Sequence, residues 1–496
     1  MIQYSITDID QAVPEILRFI ADPEVYDKSD DGQEIENTLY RFMDELRDDL
    51  FVLIEYPYVD RVYRDSYYTY FASKHNAYFR DCIRVAFFSE KITERHFREA
   101  KFRSKLQETF RGFVIIRPTF PNVVGRSLLQ RQALADRQFE SCTYTTNVLI
   151  NGVKLEVEGF PHSSQDAESI SCAETTIWAL MEYFGSRYPD YKPTLPSHIL
   201  RVLSRYAKQR LLPSSGLTVD QISFALKEFG FGTYIYSADD AYGDDLENII
   251  ATYVESGIPI IAAIANHTVG HAIVMIGHET DQTVDLDQQR SRTLTYADGT
   301  SVSYIDHTDI QRRYVIQDDN FPPYQQIRLA NPSEHYEGVD DAFTGCTIQS
   351  IVVPLHRKVY LEADKAKSLV MNILTDTDFG FVFSGPFVFR FFLTSSRSFK
   401  DHVARLPSLN EDVKNLLVLS RMPKFIWCAE LYDADRFAEN QASGLIVIDA
   451  TEASENMREA LLFAGYPDRC LIRVGQEFVS LPQSMDIYQM YQNNLR

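Results

Sequence analysis

Along this chain the spacing of apolar residues switches between a helical and a strand period, and the switches mark the elements. Ile35, Leu39, Phe42, Met43, Leu46 and Leu50 recur at three- and four-residue steps, so residues 1 to about 50 read as helical and acidic. Phe51-Val-Leu-Ile-Glu-Tyr and Gly112-Phe-Val-Ile-Ile-Arg-Pro are short apolar runs that read as strands, the second ending at Pro118. Between them Lys91 to Arg111 interleaves basic and acidic residues, the pattern of a solvated helix. Strand-like pieces follow at Tyr144 to Leu149 and Val153 to Val157.

From Ser171 the period becomes helical. Ile177, Leu180, Met181 and Phe184 fall on one face, and Gly185 reads as the end of that helix. Thr218-Val-Asp-Gln221 is a capping box opening a helix to Phe229, with Gly230 as its stop. Leu246, Ile249, Ile250, Tyr253 and Val254 give one more helical face within Asp245 to Ser256. Strands then dominate: Ile258 to Ala265, His271 to Gly277 and Tyr314 to Ile316, with an inserted hairpin signalled by the Asp298-Gly299 turn. Farther on, the Phe-rich stretch from Phe379 to Leu393 reads as strands, as do Phe425 to Cys428 and Gly444 to Ile448, alternating with helical stretches such as Glu455 to Phe463.

At 496 residues the chain exceeds one ordinary hydrophobic core. A polar, Gln- and Arg-rich stretch between Arg126 and Phe139 and a second break around Val359 to Ala366 suggest three regions, 1–138, 139–360 and 361–496. Apolar residues make up 45% and charged residues 24%, as in folded globular chains. The formal net charge of −21 argues against a protein built to hold nucleic acid, which needs clustered Lys and Arg. The start, Met1-Ile-Gln-Tyr-Ser-Ile-Thr-Asp, lacks the basic and apolar stretches of a signal peptide, and the longest clean apolar run, Ile258 to Ala265, is too short to cross a bilayer. A cytoplasmic location without membrane contact is expected, with the six cysteines as thiols.

One cysteine stands out by its neighbours. Cys172 lies at the N-terminal edge of its helix, where orphan N–H groups and the positive dipole end stabilise a thiolate. Ser169 or Ser171 is placed to cap that turn. A thiolate there needs a proton acceptor, and His271, at the entrance of a strand after Gly270, is the candidate base, with His267 as its substitute. Asp318 or Asp319, at the end of the Tyr314 strand, could hold the imidazole in one tautomer, and Gln165 could donate its amide to an oxyanion.

The order Gln165, Cys172 at a helix start, Gly270-His271 opening an apolar strand and Asp318 closing another resembles the papain-like cysteine peptidase superfamily. Within it the chain is most similar to the bacterial branch that includes the bacteriocin-processing (double-glycine leader) peptidases, a likeness shared by Gly216-Leu-Thr and Ala225-Leu-Lys-Glu-Phe-Gly230-Phe. The resemblance covers roughly residues 140 to 355. It implies Cys172 as nucleophile, His271 as base, Asp318 as orienting residue because it directly follows its strand, and Gln165 as oxyanion donor. It further implies an α+β chain whose central domain joins a helical lobe to an antiparallel sheet, between N-terminal and C-terminal α/β regions of unknown type. Two departures stand: Ala173 follows the nucleophile where the branch often has Gly, and the Gln–Cys separation is one residue longer than usual.

The implied activity is hydrolysis of a peptide or isopeptide bond in a partner protein through an acyl-enzyme. Acyl transfer by the same triad and a non-catalytic binding module of the same fold remain open at this stage. Cys428, also followed by Ala-Glu, comes after an apolar strand with no histidine downstream, so it reads as core. The basic set Lys91, Arg95, Arg98, Lys101, Arg103 and Lys105 alternates with Glu94, Glu99 and Glu108 as a solvated face. The tyrosines at 56, 58, 63, 67, 68 and 70 read as packing between lobes. Asp239-Asp240 and Asp244-Asp245 lack calcium-loop spacing, and no HExxH, Walker A or dinucleotide glycine pattern is present. No cofactor and no metal are expected.

Overall fold

The computed structural model describes residues 3–20, 31–75, 78–119, 122–136, 138–166, 168–208, 210–214, 216–239, 243–280, 285–452 and 457–495. Helices and largely antiparallel sheets share the chain, which makes it a mixed α and β protein. Contacts cluster in two units: residues 1–230, 261–275 and 315–352 form the first, and residues 231–260, 276–314 and 353–496 the second.

In the first unit, runs of β-branched and aromatic residues build a seven-stranded sheet. Its order is Gln3–Asp8, Phe51–Tyr58, Cys82–Phe88, Phe110–Ile116, Val124–Leu129, Val153–His162 and Tyr144–Ile150. All its pairings are antiparallel. Cys82–Phe88 is buried at every position, while the edge strand Gln3–Asp8 is mostly exposed. Residues 3–8, read as part of a helical segment, form a strand instead: Tyr4 and Ile6 alternate with Gln3, Ser5 and Thr7, a period of two carried over only a short run. The helix Asp31–Asp44 does form, and residues 1–2 and 21–30 lie outside the described residues. The basic stretch from Lys91 to Arg111 is broken into Glu94–Arg98, a 3₁₀ turn and Arg103–Thr109 before the strand begins at Phe110, so it is not one continuous solvated helix.

The helix Cys172–Arg187 is the spine of the site. It runs two residues past Gly185, which is not a stop. A Cβ at Gly185 would lie 2.1 Å from Pro193 N and 2.3 Å from Lys192 C, so the glycine is there to let another backbone approach. Nor is the helix amphipathic in place: every residue from Ala173 to Phe184 is buried, and its carboxylates are matched. Glu182 takes both its oxygens to Arg61 at 2.8 Å, and Glu174 accepts from Ser214 Oγ at 2.8 Å. The Thr218–Gln221 capping box forms as the sequence indicates, Thr218 N–H donating to Gln221 at 2.8 Å, and Gly230 ends that helix at φ +101°. A second sheet includes, in order, Gln325–Ile327, Tyr314–Gln317, Gly270–Glu279, Ile260–Ala265 and Thr347–His356. It supplies the two strands that carry His271 and lead to Asp318.

The second unit is built on an eight-stranded sheet running from the hairpin Ser291–Thr295 and Ser301–Asp306 through Phe387–Ser395, Phe425–Asp433 and Gly444–Asp449 to Glu477–Leu481. The hairpin closes at Gly299, φ +85°, as the Asp298-Gly299 signal indicates. Val388, Phe392, Cys428, Leu445, Val447 and Phe399 meet in its core. The Phe-rich stretch is strand only from Phe387, residues 379–386 being irregular. The stretch read as helix over 455–463 is helical only from Met457 to Ala460. Leu461–Gly465 is a strand paired to Leu445–Ile448, because its apolar side chains are needed in this sheet, and residues 453–456 lie outside the described residues.

Candidate active site

Cys172 is the first residue of its helix, with Ser171 at the N-cap. Glu174 reaches back to accept from the Ser171 N–H at 3.1 Å and from the Ser171 hydroxyl, which pins the helix start. Of the six free cysteines only Cys172 is half-exposed; the other five are buried. Burial pushes Cys142 and Cys470 up to about 11, away from reactivity near neutral pH.

The described residues leading to Cys172 have no regular structure, yet they are firmly held. The Asp166 carboxylate accepts from the N–H groups of Glu168 at 3.0 Å, Ser169 at 2.6 Å and Ile170 at 3.0 Å. Glu168 in turn accepts from Tyr70 at 2.8 Å and Tyr78 at 3.2 Å and pairs with Lys74. Part of the tyrosine-rich stretch therefore braces the approach to Cys172.

His271 is buried at the start of its strand. Its Nε2 lies 2.9 Å from Asp318 Oδ1 and 3.5 Å from Asp319 Oδ1, so Asp318 is its hydrogen-bond partner. With Nε2 committed, Nδ1 is the nitrogen left for a thiol. Burial alone would push the imidazole down. The charge and hydrogen bond of Asp318, joined by a hydrogen bond with Cys172, outweigh it and hold His271 well above its ordinary value. His267 is exposed on the preceding turn.

Asp318 is fully buried and saturated with donors. Oδ1 accepts from His271 and from the Asn320 N–H at 2.9 Å; Oδ2 accepts from His335 Nε2 and from the Tyr336 hydroxyl, each at 2.9 Å. Burial opposes its charge, but His271 and His335 win and keep the carboxyl well below the usual carboxylate range. Asp319 has the opposite fate. Neither of its oxygens has a hydrogen-bond partner, and burial, with the neighbouring Asp318 charge and against the pull of His271, pushes it up to about 7.

Gln165 is drawn to the same network, its Nε2 donating to Asn320 Oδ1 at 2.8 Å, while Asn320 Nδ2 donates to the Tyr336 hydroxyl at 2.9 Å. One Gln165 N–H is thus spent on orienting the amide and the second is left to donate. Around the imidazole, Phe343 lies 5.5 Å away edge-on and stacks on Tyr336 at 4.3 Å, and Phe321 packs on His335 and Tyr336 at 4.7 Å each.

Asn320, His335, Tyr336 and Arg117, which donates to the carbonyl of Gln165, were not singled out by the sequence. Asn320 follows the Asp pair by one residue and could have been drawn from it. His335 and Tyr336 sit in a 3₁₀ turn without hydrophobic periodicity, and nothing local marks them.

His271, Asp318 and Asp319 each present one donor atom, all within 4.8 Å of one another, a span that a metal ion could bridge. The donors around Asp318 argue for another use: its four hydrogen bonds occupy both oxygens, and one of them ties it to the imidazole itself. What the arrangement can do is hold an imidazolium beside a thiolate and move one proton. The chain matches no protein-family model and no curated protein. Among the described residues no helix is long and apolar enough to cross a membrane.

Proposed function

We propose that this chain is a papain-like thiol hydrolase that cleaves a peptide or isopeptide bond in a partner protein. The observation that carries the reading is the buried His271–Asp318 pair at 2.9 Å, whose imidazole is held above its ordinary value by Asp318 and by its interaction with Cys172, the one half-exposed cysteine, at a helix start. In this reading the Cys172 helix and the sheet bearing His271 and Asp318 correspond to the two halves of a papain-like domain. A cytoplasmic setting belongs to it as well, because all six cysteines are free thiols.

The Cys172 thiolate attacks the scissile carbonyl carbon. The oxyanion that forms accepts from the Gln165 amide and from a backbone N–H at the helix start. His271 then delivers its proton to the leaving amine, Asp318 holding the ring in place, and a water deprotonated by His271 releases the acyl group as a carboxylic acid. Expected on this basis is stoichiometric alkylation of Cys172 by iodoacetamide near neutral pH, faster than that of a free thiol, abolished in Cys172→Ala and slowed in His271→Ala. Alkylation at the rate of a free thiol would sink the reading.

A further inference from the structure

We propose that Arg117 is a positioning residue that fixes the Gln165 side of the oxyanion pocket; the inference rests on the thiol-hydrolase reading. Arg117 follows the strand Phe110–Ile116 and is buried. Its guanidinium NH2 donates to three carbonyls, Asn122 at 3.1 Å, Ser164 at 3.0 Å and Gln165 at 3.1 Å. Two of these belong to the irregular segment that leads to Cys172. Ser164 is tied to the neighbouring strand Val124–Leu129 by its own N–H, which donates to Val124 O at 3.1 Å.

Three features set this arginine apart from a packing residue. Among the described residues no carboxylate lies within ion-pair distance of it, Asp166 and Asp60 acting on its charge only from farther off, and its Nε is buried without a partner. A buried cation with no carboxylate in contact is costly, which points to a use for its charge or its reach. The chain also makes room for it: a Cβ on Gly125 would lie 2.7 Å from Arg117 Cγ and 2.9 Å from Cδ, so the neighbouring strand keeps a glycine under the side chain. Finally, what it grips is the backbone of the residue whose amide faces Asn320. Arg117 fixes the Gln165 main chain and Asn320 fixes the Gln165 side chain, so the donor is held from both ends.

Two reactions of the same thiol separate this role from general support. Iodoacetamide transfers its carbon to sulfur with loss of iodide and forms no oxyanion. With p-nitrophenyl acetate the thiolate attacks the acetyl carbon, a tetrahedral oxyanion forms, p-nitrophenolate leaves, and water then releases acetate. In Arg117→Met the acylation rate should fall by about 10-fold or more, approaching the roughly 100- to 1000-fold of an oxyanion donor removed outright, while alkylation stays within about twofold. Arg117→Lys should recover part of the loss. Gly125→Ala, which displaces the side chain without removing its charge, should show the same selectivity to a smaller extent, and it carries the test if Arg117→Met does not fold. Equal losses in both reactions, or no loss of acylation in folded variants, overturn the proposal. A wild-type protein that neither acylates nor alkylates faster than a free thiol overturns the hydrolase reading itself, and this inference with it.

Discussion

Two histidines in the strand Gly270–Glu279 each meet a buried carboxylate at the same distance, and only one of them keeps a ring nitrogen free for a thiol. His271 Nε2 is 2.9 Å from Asp318, and His278 Nε2 is 2.9 Å from Glu255. At His278 the other ring nitrogen is spent too, lying 2.6 Å from the Glu279 carbonyl. Glu255 is compensated by Arg390, whose Nε donates to it at 2.7 Å; Arg390 also reaches Glu430 at 2.7 Å, and Glu430 accepts from Tyr432 at 2.5 Å and from the Tyr491 N–H at 3.0 Å. Cys428, in the core of that unit, is fully buried, and burial pushes its thiol well up. A histidine–carboxylate distance therefore does not identify catalysis. What sets His271 apart is a ring nitrogen left over for a half-exposed thiol, and the proposed hydrolase reading rests on it.

Replacing each histidine by alanine is the strongest way to break the comparison. His271→Ala should slow alkylation of Cys172 by about 100-fold or more, the scale of a lost general base. His278→Ala should leave that rate within about twofold, because its ring has no free nitrogen to offer. Equal slowing in the two variants, read by mass spectrometry of timed iodoacetamide quenches, would mean that the strand rather than the His271 site controls the thiol.

Stability should respond the other way round. Arg390→Met leaves Glu255 and Glu430 buried without their cation, a change expected to cost about 3–5 kcal/mol. Urea unfolding midpoints measure it, and a loss below about 1 kcal/mol would show that the network contributes little. Burial opposes the Glu255 charge, but Arg390, the nearby His307 and His278 hold its carboxyl well below the ordinary 4.5. A carboxyl lowered in this way stabilises the fold above its unfolded value, and that contribution is lost as pH falls toward the folded one. The wild-type midpoint should therefore drop below about pH 4.5, and the drop should shrink in Arg390→Met.

The sequence exposes Cys172 more readily than its surroundings, for a physical reason. Cys172, the capping box at Thr218 and the Asp298-Gly299 turn are local signals: a helix start, a cap and a positive-φ turn are written within a few residues. The strand Gln3–Asp8 is written more faintly, Tyr4 and Ile6 alternating with polar residues over a short run in which no side chain is buried. Gly185 misleads because its role, a close approach of Pro193, belongs to tertiary structure and mimics a helix stop. Within the site the same division holds. His271 and Asp318 sit at strand ends and can be paired by order alone. The remaining donors to Asp318 from His335 and Tyr336, and the grip of Arg117 on Gln165, join residues 17, 18 and 48 positions apart through irregular backbone, where no periodicity points from one to the other.

The smallest and most diagnostic change distinguishes the two adjacent acids. Asp318 has four donors and Asp319 none, so the pair shares one neighbourhood and divides its charge. Asp319 titrates at about 7 in the fold against an ordinary 3.8. Because the folded value is raised, the native state holds this proton more tightly than the unfolded chain, and stability declines as pH climbs between those limits, then levels off. At about 1.4 kcal/mol per pH unit the decline amounts to at most about 4 kcal/mol. Asn cannot ionise, so Asp319→Asn should match the wild type near pH 4 and exceed it by on the order of 2–4 kcal/mol at pH 8 in urea unfolding. Alkylation of Cys172 should stay within about threefold, since Asp318 keeps the imidazole in place. Should Asp319→Asn instead lose alkylation as His271→Ala is expected to, the orienting acid would be Asp319, and the donors gathered on Asp318 would serve the fold.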